Sequence, residues 1–127
     1  MFRIVLSLAL ISIATPGAAQ DYSYSVKRGE TIRIFSWSFF GDTCRTTDYP
    51  KVRAIRAPKL GTLTSGRGKI KIREVADSRQ AHCIGKNVEG TVVNYTAGNQ
   101  AGGDSVRLAR KRLGGADARY EIAITVK

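Results

Sequence analysis

The sequence has few of the residues from which catalytic and metal sites are built. It contains one histidine, two cysteines and ten acidic residues in 127 positions. Any Ser–His or Cys–His catalytic pair would have to use His82, and no CxxC motif or second histidine accompanies it at the spacing of a metal site. The acidic residues are scattered, so no pair suited to acid–base catalysis is evident. We therefore expect a protein that is not an enzyme and that has no metal and no cofactor.

A hydrophobic run long enough to span a bilayer is also missing. The apolar stretch at residues 4–14 is interrupted by two serines and is shorter than the roughly 20 residues that a transmembrane helix needs. It follows Arg3 and precedes small residues at 17–19, which is the pattern of a secretory signal peptide. We expect cleavage after Ala19 and an exported domain at 20–127, in the periplasm or outside the cell.

The two cysteines, Cys44 and Cys83, both lie in the part of the chain that would be exported. Disulfides persist in oxidising compartments, so this pair predicts a disulfide. In the chain-entropy model, closing that loop would stabilise the fold by about 4 kcal/mol. The alternative is two free thiols or half of a metal site, which would need further ligands nearby.

Short runs of alternating apolar and polar residues predict an all-β domain. The predicted strands cover residues 22–26, 31–35, 52–57, 69–75, 91–95, 106–110 and 119–126. Residues 59–67 are rich in glycine and predict a loop, and 77–87 predict a polar connection that carries Cys83. About seven strands at this spacing favour a β-sandwich with one disulfide.

Residues 104–113 leave two interpretations open. Asp104 could cap a helix that Gly114 would end. Val106 and Leu108, however, alternate with more polar neighbours, and a hairpin through Gly114 would give the last strand its partner. We therefore favour a strand over residues 106–110.

The C-terminal half resembles bacterial cadherin-like and immunoglobulin-like repeats. The resemblance is carried by Gly90-Thr-Val-Val-Asn-Tyr-Thr96, Gly102-Gly-Asp-Ser-Val106 and Tyr120-Glu-Ile-Ala-Ile-Thr-Val126, and Pro58-Lys-Leu-Gly-Thr-Leu63 is similar to the proline-to-glycine step of the same repeats. The chain departs from the family at two positions: it has Ala97 where the repeats usually have proline, and Val106 where they usually have an aromatic residue. The resemblance implies an immunoglobulin-like Greek-key sandwich used for display or adhesion, and it implies no enzyme. Asp104 would hydrogen-bond backbone groups at the entrance of a strand.

The charge is strongly positive. Removal of residues 1–19 takes away only one basic side chain, which changes the formal charge from +11 to +10. Such a field favours an anionic polymer, a lipid head group or an acidic protein as partner. Two clusters are candidate binding residues, namely Arg107, Arg110, Lys111 and Arg112 at the tip of the last hairpin, and Lys69, Lys71 and Arg73 along one strand.

Each cluster also has a simpler interpretation. Guanidinium groups at an exposed tip can bind phosphate or carboxylate through paired hydrogen bonds, or they can merely keep a loop solvated. Lysines along an edge strand deter pairing with the edge of another molecule.

An aromatic stretch follows the second predicted strand. Ile32 and Ile34 share one phase of the alternation, whereas Phe35 and Trp37 share the other. A strand buries both phases only if it bulges or is covered on both faces. A bulge near Phe35 would turn Trp37 into the core, which is the outcome we expect. The alternative is a loop that presents Trp37 and Phe40 to a partner.

Taken together, the sequence predicts a non-enzymatic exported domain that binds an anionic envelope or extracellular partner through a basic surface. One alternative is a structural or accessory protein that contacts another envelope protein through its aromatic patch or a strand edge. Another is a small secreted inhibitor. We do not expect a nucleic-acid partner, because export separates the domain from most nucleic acid.

Overall fold

The computed structural model describes residues 20–112 and 114–127, so the predicted signal peptide lies outside the described residues. The described residues confirm the all-β class. The strands are β1 Gln20–Val26, β2 Thr31–Trp37, β3 Phe39–Phe40, β4 Thr46–Asp48, β5 Val52–Arg56, β6 Gly61–Lys71, β7 Asn87–Ala97, β8 Gly102–Arg110 and β9 Ala118–Val126. One 3-10 helix, Ser78–Cys83, precedes β7. Within these ranges no helix is long and apolar enough to cross a membrane.

The strands form two larger sheets and one small hairpin. One sheet has the order β1-β9-β8-β5, the other has the order β2-β7-β6, and β3 pairs with β4. β8 and β9 form an antiparallel pair, which confirms the strand, and not the helix, over residues 106–110. The nine described strands exceed the predicted seven, because β3 and β4 are too short for their alternation to reveal them.

The main hydrophobic core lies between the two larger sheets. Along β9, Tyr120, Ile122, Ile124 and Val126 are buried while the residues between them are more exposed, as the alternation predicted. They pack with Val106 and Leu108 of β8 and with Val93 and Tyr95 of β7 in one cluster. The apolar residues at every second position of these strands thus form the inner face of the sandwich.

The predicted loop over residues 59–67 is wrong, because β6 begins at Gly61 and runs to Lys71. A Cβ atom at Gly61 would lie 2.5 Å from the carbonyl oxygen of Thr96 and from the ring of Tyr95. One at Gly68 would lie 2.9 Å from a methyl group of Val92. These glycines therefore allow close packing within a strand and do not mark a loop.

A second, smaller hydrophobic cluster lies on the other face of the β2-β7-β6 sheet. Its buried members Ile72, Cys83 and Val88 pack with Phe40, Cys44, Ile70 and Val75. Val88 has the opposite strand phase from Tyr95, which places this cluster on the face away from the main core. The predicted disulfide between Cys44 and Cys83 is confirmed, with Cα atoms 5.4 Å apart.

Asp104 connects the start of β8 to the chain ahead of β6 and to β7. Its carboxylate accepts hydrogen bonds from the backbone N–H groups of Lys59 and Leu60 at 2.9 and 2.8 Å and from the hydroxyl of Tyr95 at 2.8 Å. Burial raises the pKa of Asp104, but these bonds lower it by more, so its pKa lies below the ordinary value. Burial and the bond to Asp104 raise the pKa of Tyr95 to about 12.

We expect Asp104→Asn to change how stability depends on pH. The carboxyl has a lower pKa in the folded protein than the value of about 3.9 in an unfolded chain. The ionised carboxylate therefore stabilises the fold fully at pH values above the unfolded-state pKa. This stabilisation is lost as the pH falls through the folded-state pKa. At pH 7 the variant should lose about 2 kcal/mol of unfolding free energy, and the difference should shrink in acid. Urea unfolding of both proteins across a pH series tests this, and a difference that is independent of pH would contradict it.

Candidate functional site

The bulge that the sequence predicted lies in β2, but it buries a different aromatic ring. The register shifts between Arg33 and Phe35, and Phe35 packs in the core with its ring 4.9 Å from that of Tyr120. Trp37 is 39% exposed, so the expectation that it is a core residue is wrong. Trp37 is opposite Thr91, the last pair in the register of β2 with β7.

Trp37 covers Arg110, which the sequence placed at an exposed hairpin tip. Arg110 is only 8% exposed, its guanidinium carbon lies 4.1 Å from the ring centre of Trp37, and its Nε donates to the hydroxyl of Tyr120 at 3.1 Å. The placement at the tip is therefore wrong. Arg110 follows Val106 and Leu108 at intervals of two, which gives it the inward phase of β8.

The other predicted basic residues separate into different environments. Arg107 pairs with Glu121 on the neighbouring strand and is half-buried, so its charge is already balanced. Lys111 and Arg112 are exposed just beyond β8. The remaining three, Lys69, Lys71 and Arg73, are exposed along or just after β6. β6 is an edge strand of its sheet, the position in which lysines deter unwanted pairing.

Lys111 and Arg112 meet a lysine that the sequence did not single out. The backbone N–H of Lys111 donates to the carbonyl oxygen of Lys51 at 2.9 Å. Together these cations line a groove of about 320 Å³, which we call the basic groove; its other lining residues are Phe39, Asp48, Tyr49 and Pro50. The guanidinium of Arg67 lies 3.8 Å from the ring centre of Tyr49 and adds positive charge beside it.

Two further grooves lie beside the basic groove. The aromatic groove has a volume of about 560 Å³ and is lined mainly by Trp37, Phe39, Phe40, Val75, Glu74 and Gln80, with Asp48 at its junction with the basic groove. The outer groove, of about 160 Å³, is lined by Lys71 and Arg73, by the acidic residue Glu74, and by Ser36, Ile70 and Ile72. Phe40 and Trp37, the predicted aromatic contacts, line both of these grooves.

The aromatic groove is held in place by contacts from the sheet beneath it. A Cβ atom at Gly90 would lie 2.5 Å from the carbonyl oxygen of Trp37, so only glycine lets the aromatic segment approach β7 this closely. The amide of Gln80 donates to the carbonyl oxygen of Phe40 at 3.2 Å. The hydroxyl of Thr46 donates to the backbone carbonyl oxygen of Glu89 at 2.6 Å. The predicted strand began only at residue 91, whereas β7 begins at Asn87, so the sequence analysis did not single out this glycine.

The only histidine lies beside the disulfide. His82 Nε2 is 2.6 Å from the carbonyl oxygen of Asp42 and 3.7 Å from Cys83 Sγ. The donor atoms of Cys44, His82 and Cys83 lie within 4.8 Å of one another. Both sulfur atoms belong to the disulfide, so in this oxidised form neither is a thiolate that would bind a metal or attack a substrate.

Comparisons with known proteins assign no family. The chain matches no protein-family model, no curated protein and no solved structure.

Alanine substitutions of two neighbouring arginines test the inward position of Arg110. Arg110→Ala removes the stacking on Trp37, the hydrogen bond to Tyr120 and buried packing, so the free energy of unfolding should fall by about 2 kcal/mol. Arg112→Ala removes an exposed side chain and should change it by less than about 0.5 kcal/mol. The free energy of unfolding of each variant is measured by urea unfolding, with the fluorescence of the single tryptophan as the signal. Equal losses would show that Arg110 is no more buried than its neighbour.

Proposed function

We propose that this chain is an exported, non-enzymatic binding domain with an immunoglobulin-like fold, and that it binds an anionic partner through one end of its sandwich. The strand order supports the fold. When β2, β5, β6, β7, β8 and β9 are taken as strands B to G, the two sheets become B-E-D and C-F-G, the arrangement of an immunoglobulin-like sandwich. β1 then pairs in parallel with the last strand.

Export is supported by the oxidised state of the cysteines. Both cysteines of the chain are joined in one disulfide, and disulfides persist mainly in oxidising compartments such as the periplasm and the cell exterior. The signal-like pattern at residues 1–19 of the sequence agrees with this proposal.

The observation that carries the binding proposal is the convergence of unpaired cations in the basic groove. Lys51, Lys111 and Arg112 are exposed there. In the described part of the chain the ion pairs use Arg53, Arg79 and Arg107, and none uses these three cations. Like charges held together repel one another, so an anion placed among them would be attracted by all three, against the single carboxylate of Asp48 in the same groove.

The aromatic groove favours a second candidate function. Trp37 is exposed, and the groove beside it is lined by three aromatic rings. An accessory protein could use this surface to contact another envelope protein. Such binding would resist salt and would be lost on Trp37→Ala without loss of the fold.

Charge reversal tests the proposed function. The groove variant Lys51→Glu/Lys111→Glu/Arg112→Glu should elute from a heparin matrix at a much lower salt concentration than the wild type, because the three cations that contact the anion have been reversed. The control variant Lys27→Glu/Lys86→Glu/Lys127→Glu changes the same number of exposed charges away from the groove and has the same net charge.

The control separates a local site from overall charge. The proposal predicts that the control variant elutes close to the wild type and well after the groove variant. Equal elution of the two variants would show that retention depends only on net charge and would contradict a site in the basic groove. Wild-type retention that does not respond to salt would contradict binding through charge.

A further inference from the structure

The three grooves adjoin one another, and we call the row that they form the track. The basic and aromatic grooves share Phe39 and Asp48. The aromatic and outer grooves share Trp37, Phe40 and Glu74. A linear ligand that occupied all three grooves would cross these shared walls.

The basic residues of this track lie in its two end grooves. Lys51, Lys111 and Arg112 lie at one end, and Lys71 and Arg73 lie at the other. Among the described residues no basic side chain lines the aromatic groove between them, and its two carboxylates lie at its junctions, Asp48 with the basic groove and Glu74 with the outer groove. A ligand that fits this pattern carries negative charge at both ends and none in the middle.

The chemistry of the middle groove matches an uncharged sugar ring. The rings of Trp37, Phe39 and Phe40 offer flat apolar surfaces on which the C–H face of a pyranose can stack. Carboxylate groups accept hydrogen bonds, and sugar hydroxyl groups donate them. The amide of Gln80, which also lines this groove, adds a further polar group.

The same carboxylates disfavour ligands with a uniform negative charge. A nucleic acid carries a phosphate at each nucleotide, and an acidic peptide or a polyuronate carries a carboxylate at nearly every unit. Lying along the whole track, each would place an anion against Asp48 or Glu74, and like charges at close range repel one another. An acyl chain of a lipid would leave the polar groups of the middle groove without partners.

We infer that the partner is a polysaccharide in which acidic and neutral sugars alternate, with its acidic units on the two basic ends of the track and a neutral unit on the aromatic rings between them. This inference rests on the proposed function and specifies the class of ligand. Asp48 and Glu74 then determine specificity, because they accept the neutral sugar and repel an acidic one.

Oligosaccharides of equal charge test the inference. The probes are hexasaccharides of hyaluronan and of chondroitin, which alternate acidic and neutral sugars and each carry three carboxylates, and trigalacturonate, which carries three carboxylates on adjacent sugars. Binding is followed by the fluorescence of Trp37, the one tryptophan of the chain. At least one alternating hexasaccharide should bind about tenfold or more tightly than trigalacturonate, a difference of about 1.4 kcal/mol.

Acid-to-amide variants then test the role of the two carboxylates. Asp48→Asn/Glu74→Gln should bind trigalacturonate more tightly than the wild type does, and its preference for the alternating hexasaccharide should disappear. The control Asp21→Asn/Glu30→Gln makes the same change in charge at two exposed residues outside the track, and it should keep the preference. Urea unfolding of both variants verifies that each is folded.

The outcomes separate the inference from the proposed function. Equal affinity of the wild type for all three oligosaccharides, with loss of binding in the basic-groove variant, would overturn the alternating ligand and leave an anion-binding function standing. Tighter binding of oligothymidylate than of either hexasaccharide would overturn it in favour of a nucleic acid. Binding of none of the anionic probes, with heparin retention equal in the groove and control variants, would contradict both.

Discussion

The candidate site depends on the disulfide between Cys44 and Cys83. β3 and β4 contain two and three residues, too few for an isolated hairpin to be stable in water. The disulfide joins the segment between these strands to the 3-10 helix, and Cys83 itself is buried in the second hydrophobic cluster. This covalent link keeps Phe40 against the sheet, and Phe40 in turn forms a wall of two grooves.

A second constraint closes the end of the main core. Arg110 brings a positive charge into a position that is largely buried, which is costly unless the charge is compensated. The ring of Trp37 and the hydroxyl of Tyr120 supply that compensation. The same contact holds Trp37 beside the grooves. The most buried arginine of the predicted basic cluster therefore positions an aromatic ring, while its exposed neighbours supply the positive charge.

The sequence predicted the parts of the fold that follow from local alternation. β9 was predicted because Tyr120, Ile122, Ile124 and Val126 alternate cleanly, and the disulfide because the chain has only two cysteines. The first part of β6, residues 61–68, was missed, since its glycines permit close contacts with β7 that no local pattern reveals. The basic groove was predicted only in part, because Lys51 joins Lys111 through the pairing of β5 with β8, which is a long-range contact.

Hydrogen exchange tests most directly whether the disulfide holds the site together. The amides of the oxidised protein would be compared with those of the Cys44→Ser/Cys83→Ser variant under conditions in which both are folded. We expect the variant to lose protection at residues 39–48 and 78–83 while β8 and β9 keep theirs. Unchanged protection in the hairpin, or an equal loss along the whole chain, would contradict a site that depends on this one bond.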